Sequence, residues 1–204
     1  MSKRGIVIVI SGPSGSGKGT VVAELRSICK TIQVAVSATT RQPREGERDG
    51  VEYYFRTREE FLGLIERGEV LEYTEYNGNY YGTLKSEAER ILSTGNDLIL
   101  EIEVDGGGQI KRLLGDDCVT VMLIAPSAAE QESRLRGRGT ETEEVIRGRM
   151  ARATEEIREA VNYDYIVVNE IDGQVECANT ILSIIRAEHC AAHRMSDYIA
   201  EYFA

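Results

Sequence analysis

Apolar positions follow two rhythms along this chain. Short aliphatic or β-branched runs at 6–10, 34–36, 97–104, 119–125 and 165–168 read as buried strands. Between them, apolar residues at three- and four-residue spacing predict helices over 18–30, 58–66, 84–93, 106–114, 128–136, 141–162 and 174–194. Strands alternating with helices predict an α/β fold, a parallel sheet covered by helices. Gly95 suits the end of the third helix. Thr140 with Glu143 reads as a capping box opening the sixth, and the tail beyond Arg186 reads as an extension of the last.

Two segments break this rhythm. Residues 37–85 carry Tyr53, Tyr54, Tyr73, Tyr76, Tyr80 and Tyr81 among short alternating stretches, and residues 127–160 are arginine-rich around Gly137-Arg138-Gly139. Both are expected as insertions at the carboxyl ends of core strands, where open α/β sheets bind ligands. The expected organisation is one domain over 1–204. Its core is 1–36, 86–126 and 161–204, with an inserted mixed α+β subdomain at 37–85 and a helical lid at 127–160.

The densest chemistry lies between the first strand and the first helix, in Ser11-Gly12-Pro13-Ser14-Gly15-Ser16-Gly17-Lys18-Gly19-Thr20. Glycines there let consecutive N–H groups turn toward one centre, and the helix N-terminus adds partial positive charge. Lys18 supplies a full charge for the outer phosphates of a nucleotide, and a hydroxyl at the helix start can ligate magnesium. The residue after the lysine is Gly19, with Thr20 next, so the first position has no hydroxyl. A metal is then held mainly through water and phosphates, with Thr20 and Glu101 as candidate protein contacts. This loop specifies nucleotide phosphates and leaves the reaction open.

Composition narrows the setting. With 204 residues, 42% apolar and 28% charged, the chain can bury one sizeable core. No apolar run is longer than the five residues of 6–10, too short for a membrane span or a signal peptide, so a cytoplasmic location is expected. A net charge of −10 argues against a nucleic-acid backbone as partner. Cys29, Cys118, Cys177 and Cys190 are widely spaced and read as free thiols. His189 and His193 are four apart but lack a third ligand, and read as a solvated helix face.

A second phosphate site is suggested by Ser37-Ala38-Thr39-Thr40-Arg41-Gln42-Pro43-Arg44-Glu45-Gly46-Glu47, followed by Tyr53. Arginine presents a rigid fork that matches phosphate oxygens, and two lie three apart here. Further on come Glu72 and Asn79-Tyr80-Tyr81-Gly82-Thr83, and later Arg138-Gly139-Thr140-Glu141-Thr142-Glu143-Glu144. Taken with the glycine loop, these segments resemble guanylate kinase in the family's order over almost the whole chain.

The resemblance implies a P-loop NTPase-type parallel sheet and transfer of the γ-phosphoryl group of ATP to GMP, with Mg²⁺. It implies that Arg41, Arg44, Tyr53 and Tyr81 hold the GMP phosphate and that Ser37, Glu72 and Thr83 hold the guanine. On the ATP side it implies Gly12 to Thr20 and Asn169. Lys18, Arg134, Arg138 and Arg149 are implied as the charges acting on the transferring group, with Arg152 peripheral. Glu101-Ile102-Glu103 ends a strand, and alternation puts both carboxylates on one face, toward magnesium's waters and the guanine amino group. The family has Asp at Glu103 and Gln at Asp105; Asp105 reads as a cap for the helix opening at Gly106-Gly107-Gly108. Scaffold modules of the same family keep the fold with a degraded glycine loop, whereas Gly12, Gly15, Gly17, Lys18 and Thr20 are all present here. A kinase for a phosphorylated ribose would not need Glu72 and Thr83 beside the Ser37 segment.

Overall fold

The computed structural model describes residues 4–137, 139 and 142–202. In chain order its elements begin with β1 (Val7–Ser11), α1 (Lys18–Ile28), β2 (Ile32–Val34), β3 (Ala38–Thr39), β4 (Tyr54–Phe55), α2 (Arg58–Glu66), β5 (Val70–Tyr76), β6 (Asn79–Leu84) and α3 (Lys85–Leu92). They continue with β7 (Asp97–Glu101), α4 (Val104–Leu114), β8 (Cys118–Ile124), α5 (Ala128–Gly137), α6 (Glu143–Arg158), β9 (Tyr165–Val168), α7 (Gln174–Glu188) and α8 (Ser196–Tyr202).

All of β1 is buried and nearly all of β7 and β8, as expected of strands covered on both faces. They belong to a five-stranded sheet of order β2-β7-β1-β8-β9, in which β2–β7 and β8–β9 run parallel. A second sheet has the order β4-β3-β6-β5. Its β5–β6 pair is a hairpin whose two-residue turn is Asn77-Gly78, both at positive φ (49° and 75°). Asn-Gly favours that left-handed turn, which matches the twist of the flanking strands.

The chain divides into two compact units, 1–9 with 31–118 and 10–30 with 119–204. In the first, Val7, Val9, Ile91, Leu98, Leu100 and Ile110 form the main core. A smaller cluster of Ala38, Phe61 and Leu84 lies under the second sheet, where the Phe61 ring stacks on Tyr80 at 5.5 Å between centroids. Burying Phe61 completely contributes roughly 2–3 kcal/mol. Its helix α2 is fixed by a capping box between Thr57 and Glu60. In the second unit α1 packs on α7, burying Val21, Val22 and Leu25 on one helix and Ala178, Ile181 and Ile185 on the other.

Several boundaries differ from the pattern-based expectation: β2 lies at Ile32–Val34 instead of 34–36, and three other shifts move residues singled out by the sequence. β7 ends at Glu101, and Glu103 is the extended N-cap of α4, so that helix opens at Val104, two residues early. Asp105 therefore lies in the first turn, where its charge faces the positive end of the helix, and does not cap it. Glu101 and Glu103 accordingly do not share a strand face. Helix α6 is capped by Thr142, whose side chain accepts from the Val145 N–H; Thr140 and Glu141 lie outside the described residues. The Thr-x-x-Glu pattern selects Thr140 with Glu143, but Thr142 caps the helix through its hydroxyl alone, with Val145 three residues on and no carboxylate to return the bond. Helix α7 stops at Glu188. Arg194 turns back onto the Glu188 carboxylate at 3.5 Å, a reach a continuous helix does not allow at six residues' spacing, and α8 follows separately.

Segment 37–85 is tied at both ends by Glu87. This carboxylate is 2% exposed and accepts from the Val36 N–H (3.2 Å), the Tyr54 hydroxyl (3.1 Å) and Arg90 Nε and Nη2 (2.9 and 3.0 Å). The Arg90 guanidinium holds its pKa below the ordinary carboxylate range.

Candidate active site

Each unit carries a cluster of the residues singled out by the sequence. In the second, the chain leaves β1 into Gly12-Pro13-Ser14-Gly15-Ser16-Gly17. Gly15 and Gly17 stand at φ 88° and 90°, the left-handed region open to glycine. A β-carbon on Gly17 would lie 2.4 Å from Asn169 Nδ2, and one on Gly12 would lie 2.1 Å from the Leu123 carbonyl oxygen. Backbone and neighbours thus fit together only without side chains at these positions. Gly17 caps α1 without a side-chain bond, which leaves N–H groups of the first turn directed outward. Lys18 opens the helix and donates from Nζ to the Gly12 carbonyl. Gly19 and Thr20 follow, both exposed.

The loop's carbonyls are held from outside. Gln131 donates to Ser14 O at 2.8 Å and Asn169 to Ser16 O at 2.9 Å. Arg134 donates to the carbonyls of Asn169 (2.9 Å), Glu170 (3.2 Å) and Ser16 (3.5 Å), and its Nε pairs with Glu130 at 2.8 Å. Arg149 reaches from α6 to the Ser14 hydroxyl at 2.9 Å. These bonds engage the Ser14 and Ser16 carbonyls, which favours turning neighbouring loop N–H groups toward an anion, while Arg134 is itself committed to carbonyls and to Glu130. Arg138, expected beside them, lies outside the described residues. Arg152 donates to Glu156 at 2.7 Å on its own helix. The Ser16 hydroxyl is fully buried and has no hydrogen-bond partner among the described residues.

In the first unit, Glu72 of β5 faces Thr83 of β6 across the hairpin. Both are buried, and the Thr83 hydroxyl donates to Glu72 Oε1 at 2.9 Å. Burial pushes the Glu72 carboxyl up; hydrogen bonds from the Thr83 hydroxyl and N–H oppose this in part. Glu72 Oε2 lies against the backbone of Gly106.

Arg41, Tyr53 and Tyr81 form a second cluster in this unit. The Arg41 guanidinium lies 5.4 Å from the Tyr53 ring centroid and 5.8 Å from that of Phe55. Tyr53 meets Tyr81 edge-on at 6.0 Å. Glu47 accepts from Arg41 Nη2 at 2.9 Å and from the Arg44 N–H at 2.8 Å, while Arg41 Nη1 donates to Gln42 O. Arg41 holds the Glu47 carboxyl below its usual range. The Arg44 side chain is exposed. Ser37 accepts the Tyr54 N–H through its carbonyl at 2.9 Å, at the edge of the same sheet. Glu101 and Glu103 are both exposed, at the end of β7 and the start of α4.

A family model described as guanylate kinase matches residues 4–185. The chain belongs to the guanylate kinase family. It is 50% identical over 197 residues to the guanylate kinase of Enterococcus faecalis, covering 96% of this chain and 95% of that protein. It is 49% identical over 194 residues to that of Halalkalibacterium halodurans, covering 95% and 93%. The crystal structure of guanylate kinase from Anaplasma phagocytophilum is similar at a TM-score of 0.73 with 33% identity, covering 94% of this chain and 90% of that one.

Three residues of this chain carry roles that the sequence patterns do not signal or signal weakly. Gln131 is 1% exposed in a charged stretch, and a lone buried amide carries no periodic signal. Glu47 had one: a carboxylate three residues after Arg44 and six after Arg41, across a glycine turn. Glu87, two residues beyond the inserted segment, reads as an ordinary first-turn acid of α3 until its burial is known.

Proposed function

We propose that the Glu72–Thr83 pocket takes the guanine of GMP, the Arg41, Arg44, Tyr53 and Tyr81 cluster its phosphate, and the loop from Gly12 to Thr20 with Asn169 the phosphates of ATP. As a guanylate kinase, the protein transfers the γ-phosphoryl group of ATP to GMP and yields ADP and GDP.

One observation carries the assignment of the base: a buried carboxylate with one oxygen engaged by Thr83. Guanine presents two adjacent donors, N1–H and the N2 amino group, which a carboxylate accepts together. Adenine presents an unprotonated N1 there, an acceptor against an acceptor. A buried site left unpaired in this way rejects the wrong base strongly. Ser37 and the carboxylates of Glu101 and Glu103 complete the proposed guanine side.

The chemistry asks little covalent help from the protein. An oxygen of the GMP phosphate, ionised near neutral pH, forms a bond to the γ-phosphorus of ATP. The bond from that phosphorus to the β,γ-bridging oxygen breaks, and its electron pair leaves with ADP. Alignment and charge neutralisation supply the rate. Lys18, Arg134, Arg138 and Arg149 are the cations we assign to that task. Magnesium suits the oxygen donors available, the exposed Thr20 hydroxyl and the exposed Glu101 carboxylate, each able to act through water. When bound with ATP it neutralises charge on the phosphates. None of the four cysteines is in a disulfide, and we place the enzyme in the cytoplasm. No helix among the described residues is long and apolar enough to cross a membrane.

The test is stoichiometry. Incubation with magnesium-ATP and GMP should form ADP and GDP one to one by chromatography; ADP without GDP would refute the transfer.

A further inference from the structure

Three glycines stand together at the start of α4, where glycine is the poorest helix former after proline. Gly106 lies inside the first turn, so freedom of backbone conformation does not account for it. The space around it does. A β-carbon on Gly106 would lie 3.1 Å from Glu72 Oε2, 3.4 Å from Ile102 Cδ1 and 3.6 Å from Ile102 Cβ. The carboxylate has little room to retreat: Glu72 is 5% exposed, and its Oε1 is held by the Thr83 hydroxyl at 2.9 Å. Helix α4 is itself fixed to β5, since Gln109 donates to the Tyr73 carbonyl at 3.3 Å.

We propose that Gly106 is a specificity-determining residue, its missing side chain setting the depth at which the Glu72 carboxylate sits and so its alignment with the two guanine donors. This rests on the reading of Glu72 as the group that recognises guanine. Gly106 acts through Glu72 and is a positioning residue. The consequence has opposite signs for folding and for function. Alanine is the better helix residue, so Gly106→Ala relieves the helix while displacing the carboxylate by a few tenths of an ångström. A misplacement of about 1 Å can cost about 100-fold, so a shift of a few tenths at this buried carboxylate is expected to cost about tenfold.

The experiment compares Gly106→Ala, Gly108→Ala, Glu72→Ala and the double variant Glu72→Ala/Gly106→Ala. Gly108 is the control on the same helix, where a β-carbon would meet only the mobile end of Arg112, Nη1 at 3.3 Å. Steady-state kinetics give KM for GMP, KM for ATP and kcat; thermal melting gives stability. Gly106→Ala is expected to raise the GMP KM about tenfold. KM for ATP and kcat should stay within about twofold, and the melting temperature should not fall. Gly108→Ala should match the parent in all kinetic constants. Adding Gly106→Ala to Glu72→Ala should change the GMP KM less than about twofold, because the group it acts through is gone. An unchanged GMP KM in Gly106→Ala, a melting temperature well below the parent's, or a full additional loss in the double variant overturns the proposal. If Glu72→Ala also leaves the GMP KM unchanged, the reading of Glu72 falls with it. If Glu72→Ala is impaired and Gly106→Ala is silent, only the role of Gly106 falls.

Discussion

Replacing Glu72 by glutamine keeps the side chain's shape and removes its charge, which separates recognition from packing. One oxygen remains for the Thr83 hydroxyl, now 2.9 Å from Oε1, and the other position becomes an NH₂ group. In the proposed guanine site that donor would face a guanine donor where an acceptor stood. A hydrogen bond to a charged acceptor contributes about 1.5–3 kcal/mol, and an unpaired buried donor costs about 1–3 kcal/mol. A combined loss of about 3 kcal/mol corresponds to about 100-fold in kcat/KM for GMP. Inosine monophosphate lacks the N2 amino group, so the preference for GMP over it should shrink in the variant. Stability moves the other way. Burial raises the native Glu72 pKa above its unfolded value. The contribution of this proton to stability is therefore full below the unfolded pKa and is lost as pH rises through the native value. At neutral pH the native state bears the cost of a buried charge, which glutamine removes, so Glu72→Gln should melt at a higher temperature than the parent. The assay is coupled ADP release with GMP varied at saturating ATP, beside a melting curve. A change in kcat/KM for GMP of less than threefold would refute the reasoning.

Other perturbations test other parts of the account. Glu87→Ala leaves the Val36 N–H and the Tyr54 hydroxyl without their acceptor and should destabilise the fold by about 2–3 kcal/mol in urea unfolding. Since Arg90 lowers the native Glu87 pKa, the parent should lose this contribution as pH falls through that value, and Glu87→Gln should flatten the acid limb of the stability profile. Ser16→Ala removes a buried hydroxyl without a partner and should leave stability unchanged or raise it by about 1 kcal/mol; a clear loss would show that the hydroxyl is paired. Arg138→Ala should lower kcat by about 10³-fold with the GMP KM within a few-fold, as expected of a charge acting in the transition state, and equal turnover would remove it from the mechanism.

How far the sequence carries depends on whether each feature is local. β9 and α2 sit where periodicity places them, because their patterns end at turn residues and, for α2, at the Thr57–Glu60 cap. The glycine loop was legible because its conformation is written in residue types that only a tight backbone requires. Arg41 and Tyr53 could be paired by proximity in sequence, but the edge-on contact of Tyr53 with Tyr81 depends on how β3, β4 and β6 associate. The end of β7 was misread because Leu100, Ile102 and Val104 keep a period of two straight into the first turn of α4. Gln131 and Glu87 could not be read at all: their importance comes from burial against carbonyl or N–H groups distant in the chain, and a polar residue in a polar stretch does not announce that.

The central claim, a phosphotransferase whose acceptor is chosen by a buried carboxylate, is tested most directly by offering the enzyme magnesium-ATP with GMP, AMP, CMP and UMP in turn and measuring ADP release. The account predicts strong turnover with GMP and background with the other three. Comparable turnover with AMP would contradict recognition through Glu72, and no turnover with any of them would contradict the transfer itself.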